Sequence, residues 1–157
     1  MTLIVEYLDA RRDEDVARLR RLLALRAMAA TGKSQREIAA ELGVSQPAIS
    51  QQLRTAPELH SIHPEALLEA AAPILKRVAE TYGFADLAVF GSVARHQARP
   101  DSDIDLIVRQ PAGTTISGLN RLRTLFERIL GRSVDVMTYG GLKAVIDDDI
   151  RREAVLL

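Results

Sequence analysis

The chain has 157 residues, 47% of them hydrophobic and 27% charged, enough for one ordinary domain or two small ones, which excludes wholesale disorder. Its 21 basic residues balance 21 acidic ones, so any contact with nucleic acid or a membrane has to come from a local patch. Cysteine is absent, which excludes disulfides, thiolate metal sites and cysteine nucleophiles and suits a reducing compartment.

Near the N-terminus the apolar run Leu3-Ile4-Val5 precedes its arginines, the reverse of a signal peptide. The apolar stretch over residues 22–30 is interrupted by Arg26 and falls well short of the roughly eighteen residues that a membrane span needs. These features predict a soluble, cytoplasmic protein without membrane contact. Over residues 13–53 apolar side chains recur at helical spacing, with Val16, Leu19, Leu22, Leu23 and Ala27 on one face.

Within that region, Ser34 followed by Glu37 reads as a capping box opening a helix whose Ile38, Ala39 and Leu42 face inward. Gly43 supplies the positive φ of a tight turn, and Val44 plugs the angle between two helices. Ser45 caps the next helix, with Pro47 in its first turn, where a missing N–H costs nothing. Ile49 and Leu53 anchor that helix and leave Gln46, Ala48, Ser50, Gln51 and Gln52 outward. The arrangement resembles the helix-turn-helix of bacterial DNA-binding regulators. The resemblance implies operator DNA as a partner, with Ser45, Gln46, Ser50 and Gln51 as candidate DNA contacts. A helical hairpin used for packing or dimerisation would show the same polar face. Lys33, Arg36 and Arg54 flank the motif, but Glu37 and Glu41 sit beside them, so phosphate affinity is modest unless the protein dimerises.

Arg54-Thr55-Ala56-Pro57 and Ser61-Ile62-His63-Pro64 then break the helical pattern twice, as a linker does. Beyond it, residues 65–82 read as a helix, and residues 87–90, 103–108 and 134–137 as strands. Residues 117–130 form a further helix stopped by Gly131, and a last helix falls within residues 142–157. The fold class is α+β: an all-α module over residues 1–56, a linker over 57–64, and a small mixed-sheet domain over 65–157.

The chemistry is concentrated between Phe90 and Val108. On a strand, Asp103 and Asp105 project to one side while Ile104 and Leu106 face the other. Adjacent carboxylates repel, and hard oxygen ligands at that separation suit magnesium, which recruits substrate phosphates as further ligands. Gly91-Ser92 ends a strand and opens a short helix, where glycine permits close approach of a phosphate and the serine hydroxyl donates to it. Asp135 lies in Ser133-Val-Asp-Val-Met137, alternating with buried valines. Three converging acids beside an anion cradle are what metal-assisted phosphoryl or nucleotidyl transfer requires. Asp101 reads as a turn residue, and His60 and His63 as solvated.

Gly-Ser, the eleven-residue step to Asp-Ile-Asp and the later Val-Asp-Val closely resemble the DNA polymerase β-like nucleotidyltransferases. The match is specifically to the minimal nucleotidyltransferases, over about residues 65–157. The resemblance implies that Asp103 and Asp105 hold two Mg²⁺ ions with ATP, and that Asp135 completes the metal site and helps activate the attacking hydroxyl. Gly91 and Ser92 then bind the phosphates, while Arg95 and Arg99 are available to steer them. The family has glycine where this chain has His96; if the position needs positive φ, histidine adopts it at about 1 kcal/mol. His96 is also a candidate base, or a surface substitution.

Small chains of this family serve as antitoxins beside a HEPN-domain ribonuclease toxin, transferring AMP from ATP to a toxin tyrosine. The resemblance therefore implies a HEPN toxin as partner, a homodimer or a hetero-oligomer with the toxin, and operon autoregulation through the helix-turn-helix. The alternatives are a small-molecule transferase of the aminoglycoside type and a non-catalytic DNA-binding regulator that masks its partner. About 90 residues for the catalytic domain leave little chain for a second substrate pocket.

Overall fold

A computed structural model of the chain describes residues 2–141 and 148–157. Helix α1 spans Leu3–Ala30 and is capped by Thr2, whose side chain accepts from the Val5 N–H. It begins ten residues before the apolar spacing does, so Leu3, Ile4, Tyr7 and Leu8 stand exposed. Once the buried half of a helix is fixed, each added residue gains a hydrogen bond without needing a buried face.

Two faces of α1 enter two different cores. Leu22, Leu23 and Ala27 join the main core, with Val16 and Leu19 packed against it, which matches the stripe read from the sequence. Leu25 instead meets Ile38, Ala39 and Ile49 in a small second core. That core is closed by α2 (Gln35–Leu42) and α3 (Gln46–Arg54). Ser34 accepts from the Glu37 N–H, Ser45 accepts from the Ala48 N–H, and Gly43 turns the chain at φ +69°. Two expectations fail here. Leu42 is 51% exposed and Val44 44% exposed, because the three-helix core already closes on Ile38, Ala39 and Ile49.

The segment between the proline breaks is exposed at Glu58, His60 and Ser61 but anchored at Leu59 and His63. Leu59, in a single 3-10 turn over Leu59–Ser61, is buried in the main core. His63, expected to be solvated, caps α4 (Pro64–Thr81): its Nδ1 accepts from the Glu65 N–H at 3.2 Å, and its Nε2 lies 3.0 Å from the Ala98 carbonyl.

Four strands follow: β1 (Ala85–Phe90), β2 (Ile104–Arg109), β3 (Val134–Thr138) and β4 (Val155–Leu156). Their order is β3-β2-β1-β4, with β2 and β3 parallel and the other two pairs antiparallel. The one-turn helix α5 (Gly91–Ala94) follows β1, and α6 (Ile116–Leu130) crosses from β2 to β3 before ending at Gly131 in the left-handed conformation. Ile104, Leu106 and Val108 face α1, α4 and α6, while Ile107 points to the opposite face with Ala88 and Phe90. The fold is thus α+β, a helical N-terminus followed by a small mixed sheet.

The expected last helix does fall within residues 142–157. Residues 142–147 lie outside the described residues; beyond them α7 covers only Asp148–Glu153, and Val155-Leu156 is a strand. Val155 pairs with Val89 and Leu156 with Ala88, and the Leu157 N–H donates to the Leu87 carbonyl at 3.0 Å. The exposed edge of β1 needs a partner for its backbone groups, and the C-terminus meets that need as a strand. Ile150 and Ala154 cover the Ala88, Phe90 and Ile107 face of the sheet. No helix among the described residues is long and apolar enough to cross a membrane.

Candidate active site

Strand register brings the acids together. Parallel pairing sets Asp105 beside Asp135 on neighbouring strands, and antiparallel pairing sets Phe90 opposite Asp105. Asp103 stands one residue before β2 and two before Asp105, so it projects on the same side of the chain. The three carboxylates therefore lie at one end of the sheet face that α1, α4 and α6 leave uncovered.

Gly91 follows Phe90 directly, at φ +73°. A Cβ there would collide with the Asp105 carboxylate, so only glycine allows the loop to lie against this acid. Burial pushes the Asp105 carboxyl up to about 6, and the charge of Asp135, a side-chain hydrogen bond with Asp135 and the charge of Asp103 push the same way. Arg95 acts in opposition. Asp105 is thus the acid whose charged form its surroundings disfavour most, and Asp135 lies within hydrogen-bonding reach of it.

Among the described residues, no group of three histidine or acidic side chains is gathered tightly enough to hold a metal ion. The donors still fit magnesium in kind: hard carboxylate oxygens, two of them in register, with mutual repulsion at Asp105 that a cation would offset. Asp103 and Asp135 are exposed and Asp105 is half-buried, so the acids remain accessible to a substrate.

The other residues singled out from the sequence are placed as follows. Gly91 and Ser92 are half-buried and open α5, and Arg95 and Arg99 are exposed. Asp101 is in a turn, where the Ser102 N–H donates to the Arg99 carbonyl at 3.0 Å. His60 is exposed and lies 3.3 Å from Glu58. His96 does adopt positive φ, +55°, and its side chain is 88% exposed with Nδ1 3.2 Å from Glu65 Oε1. That Glu65 oxygen is buried and makes no properly aligned hydrogen bond, so the contact is one of charge when His96 is protonated. His96 engages Glu65, a residue outside the acid group. In the helical module, Gln46 and Gln51 are exposed, Ser45 caps α3, and Ser50, expected outward, is half-buried alongside Ala48. The Gln46 amide donates to Gln35 Oε1 at 2.7 Å, which fixes its side chain at the exposed entrance of α3.

Sequence reasoning missed two residues that hold the site. Arg132 donates to the carbonyls of Ile62 at 2.8 Å, Pro100 at 2.7 Å and Ser102 at 2.9 Å, which anchors the loop that delivers Asp103. Glu153 accepts from the Gly91 N–H at 2.9 Å and pairs with Arg95 at 3.0 Å. The contacts of Arg132 span 30 to 70 positions and those of Glu153 span 58 to 62, so no local spacing announces them.

Both parts of the chain have known relatives. The family described as nucleotidyltransferase domain matches residues 72–157, and the homeodomain-like domain family matches residues 15–56. A Methanocaldococcus jannaschii protein named for protein adenylyltransferase activity is 38% identical over 74 residues, covering 47% of this chain and 80% of that protein. The protein adenylyltransferase MntA of Thermococcus cleftensis is 32% identical over 80 residues, 51% of this chain and 81% of its own length. A solved structure described as a minimal nucleotidyltransferase superposes with a TM-score of 0.53 at 33% identity, over 66% of this chain and 99% of that one.

Proposed function

Because the chain belongs to the nucleotidyltransferase domain family and is of its minimal type, we propose that it transfers AMP from ATP to a tyrosine of a cognate HEPN ribonuclease toxin and represses its own operon through the helix-turn-helix. The observation that carries this reading is the in-register, hydrogen-bonded pair Asp105 and Asp135, with Gly91 pressed against Asp105 and Arg95 close by. The names of the two relatives favour a protein acceptor over a small molecule.

Asp103, Asp105 and Asp135 would hold Mg²⁺, which lowers the pKa of an attacking hydroxyl and neutralises charge on departing pyrophosphate. Gly91, Ser92 and Arg95 bind and orient the triphosphate. The tyrosine oxygen attacks the α-phosphorus, the bond to the β-phosphate oxygen breaks, and pyrophosphate leaves. The hydroxyl proton passes to Asp135, the exposed member of the pair. Tyrosine, with a reference pKa near 10, gives up its proton more readily than serine or threonine.

Mass spectrometry of the toxin after incubation with this protein, ATP and Mg²⁺ should show AMP on a tyrosine, and none with Asp103→Asn/Asp105→Asn. Equal neutralisation of the toxin by that variant, with no added mass, would mean inhibition by occlusion and would refute the enzymatic reading.

A further inference from the structure

Glu153 ends α7 on the sheet face opposite α1, α4 and α6, where Ile150 and Ala154 pack on Ala88, Phe90 and Ile107. Two residues later the chain is already paired with β1 through Val155 and Val89. The carboxylate is therefore held from both sides, and its side chain is only 24% exposed. Its Oε1 accepts from the Gly91 N–H at 2.9 Å, and Arg95 Nη1 donates to Oε1 at 3.2 Å and to Oε2 at 3.0 Å. One C-terminal side chain thus joins the two groups that the proposed nucleotide site uses for phosphate.

We propose that Glu153 is a positioning residue for the nucleotide, fixing the Arg95 guanidinium and the Gly91 backbone in the arrangement that receives the triphosphate. This assignment rests on the nucleotide-binding reading above.

Arg95 follows a one-turn helix and has 47% of its side chain exposed. Without a fixed partner it would sample many rotamers and lose that freedom on meeting phosphate. Glu153 engages only Nη1, and Nε donates to Gln97 at 3.3 Å. Among the described residues Nη2 makes no hydrogen bond, so the pair leaves that nitrogen for an anion. A carboxylate that merely occupied the phosphate's place would act in the opposite direction, by competing with it.

The sign of the effect separates these roles. Binding of a non-hydrolysable ATP analogue with Mg²⁺ is titrated for wild type, Glu153→Ala, Glu153→Gln, Arg95→Ala and the Arg95→Ala/Glu153→Ala double variant, with melting temperature recorded for each. Glu153→Ala should weaken binding about tenfold. Glu153→Gln, which keeps an acceptor for both donors, should recover most of the loss. The double variant should lose less than the sum of the two single losses, since part of the effect of Glu153 runs through Arg95 and the remainder through Gly91. Should Glu153→Ala not fold, Glu153→Asp takes its place: its shorter carboxylate no longer spans Arg95 and Gly91, and binding should weaken although the charge is kept. Tighter binding by Glu153→Ala would identify a competing carboxylate and overturn the assignment. A lower melting temperature with unchanged affinity would reduce Glu153 to a structural contact. If wild type binds no analogue, the nucleotide reading itself falls; if wild type binds and Glu153→Ala binds equally well, only the positioning role falls.

Discussion

Asp105 illustrates how a position proposed for catalysis costs stability. Its folded-state pKa lies near 6 against an ordinary 3.8, so between those values the folded chain holds a proton that the unfolded chain has lost. Stability is therefore undiminished below about pH 4, falls as pH rises toward 6, and stays reduced above it. Asparagine keeps the shape and removes the charge. In the absence of metal, Asp105→Asn should melt about 3 °C above wild type at pH 8, the equivalent of ~1 kcal/mol for a chain of this size once partial solvent exposure is discounted. At pH 4 the two should melt together. A stabilisation that is the same at both pH values would place its origin in packing rather than in charge. Mg²⁺ should raise the melting temperature of wild type more than that of the variant, because binding to the folded state alone shifts the equilibrium.

At the scale of elements, what could be read from the sequence was whatever has a short period or a local signature. The α2–α3 turn was legible from Ser34, Gly43, Ser45 and Pro47, each fixed by a neighbour within a few residues. The strand carrying Asp105, with Asp103 one residue before it, was legible from alternation, which Ile104 and Leu106 honour by being fully buried. The positive φ at His96 was legible from the glycine that the resembling family has there. The end of the chain was not: β4 exists because the edge of β1 lies beside it in space, and a two-residue strand has no period to detect. Nor was the first half of α1, whose exposed Leu3 and Ile4 carry no buried stripe. Within the helical module, Gln46 and Gln51 present the exposed amides of α3. Their joint replacement by alanine should weaken binding to the protein's own promoter at least tenfold in mobility-shift assays and leave AMP transfer unchanged. Equal affinity for promoter and random duplex, in variant and wild type alike, would make the module a packing element.

Over the whole molecule, α1 is the shared part. Leu23 and Leu22 belong to the core beneath the sheet, and Leu25 belongs to the core of α2 and α3. Arg26, on the same helix, donates to the carbonyls of Ile129 at 2.8 Å and Arg128 at 2.6 Å and so ties α1 to the end of α6. The homeodomain-like module and the nucleotidyltransferase sheet are therefore two ends of one packed body. Leu23→Ala, at a fully buried position, should lower stability by about 3 kcal/mol and leave a single calorimetric transition, shifted as a whole. Two separate transitions would show that the modules unfold independently. The central claim, that this body carries out nucleotidyl transfer through Asp103, Asp105 and Asp135, is tested most directly by following label from ATP. With Mg²⁺ and the cognate toxin, ATP labelled at the α-phosphate should mark the toxin and ATP labelled at the γ-phosphate should not, with the α-label lost in Asp103→Asn/Asp105→Asn. Label arriving from the γ-phosphate, or α-label persisting in that variant, would contradict the account.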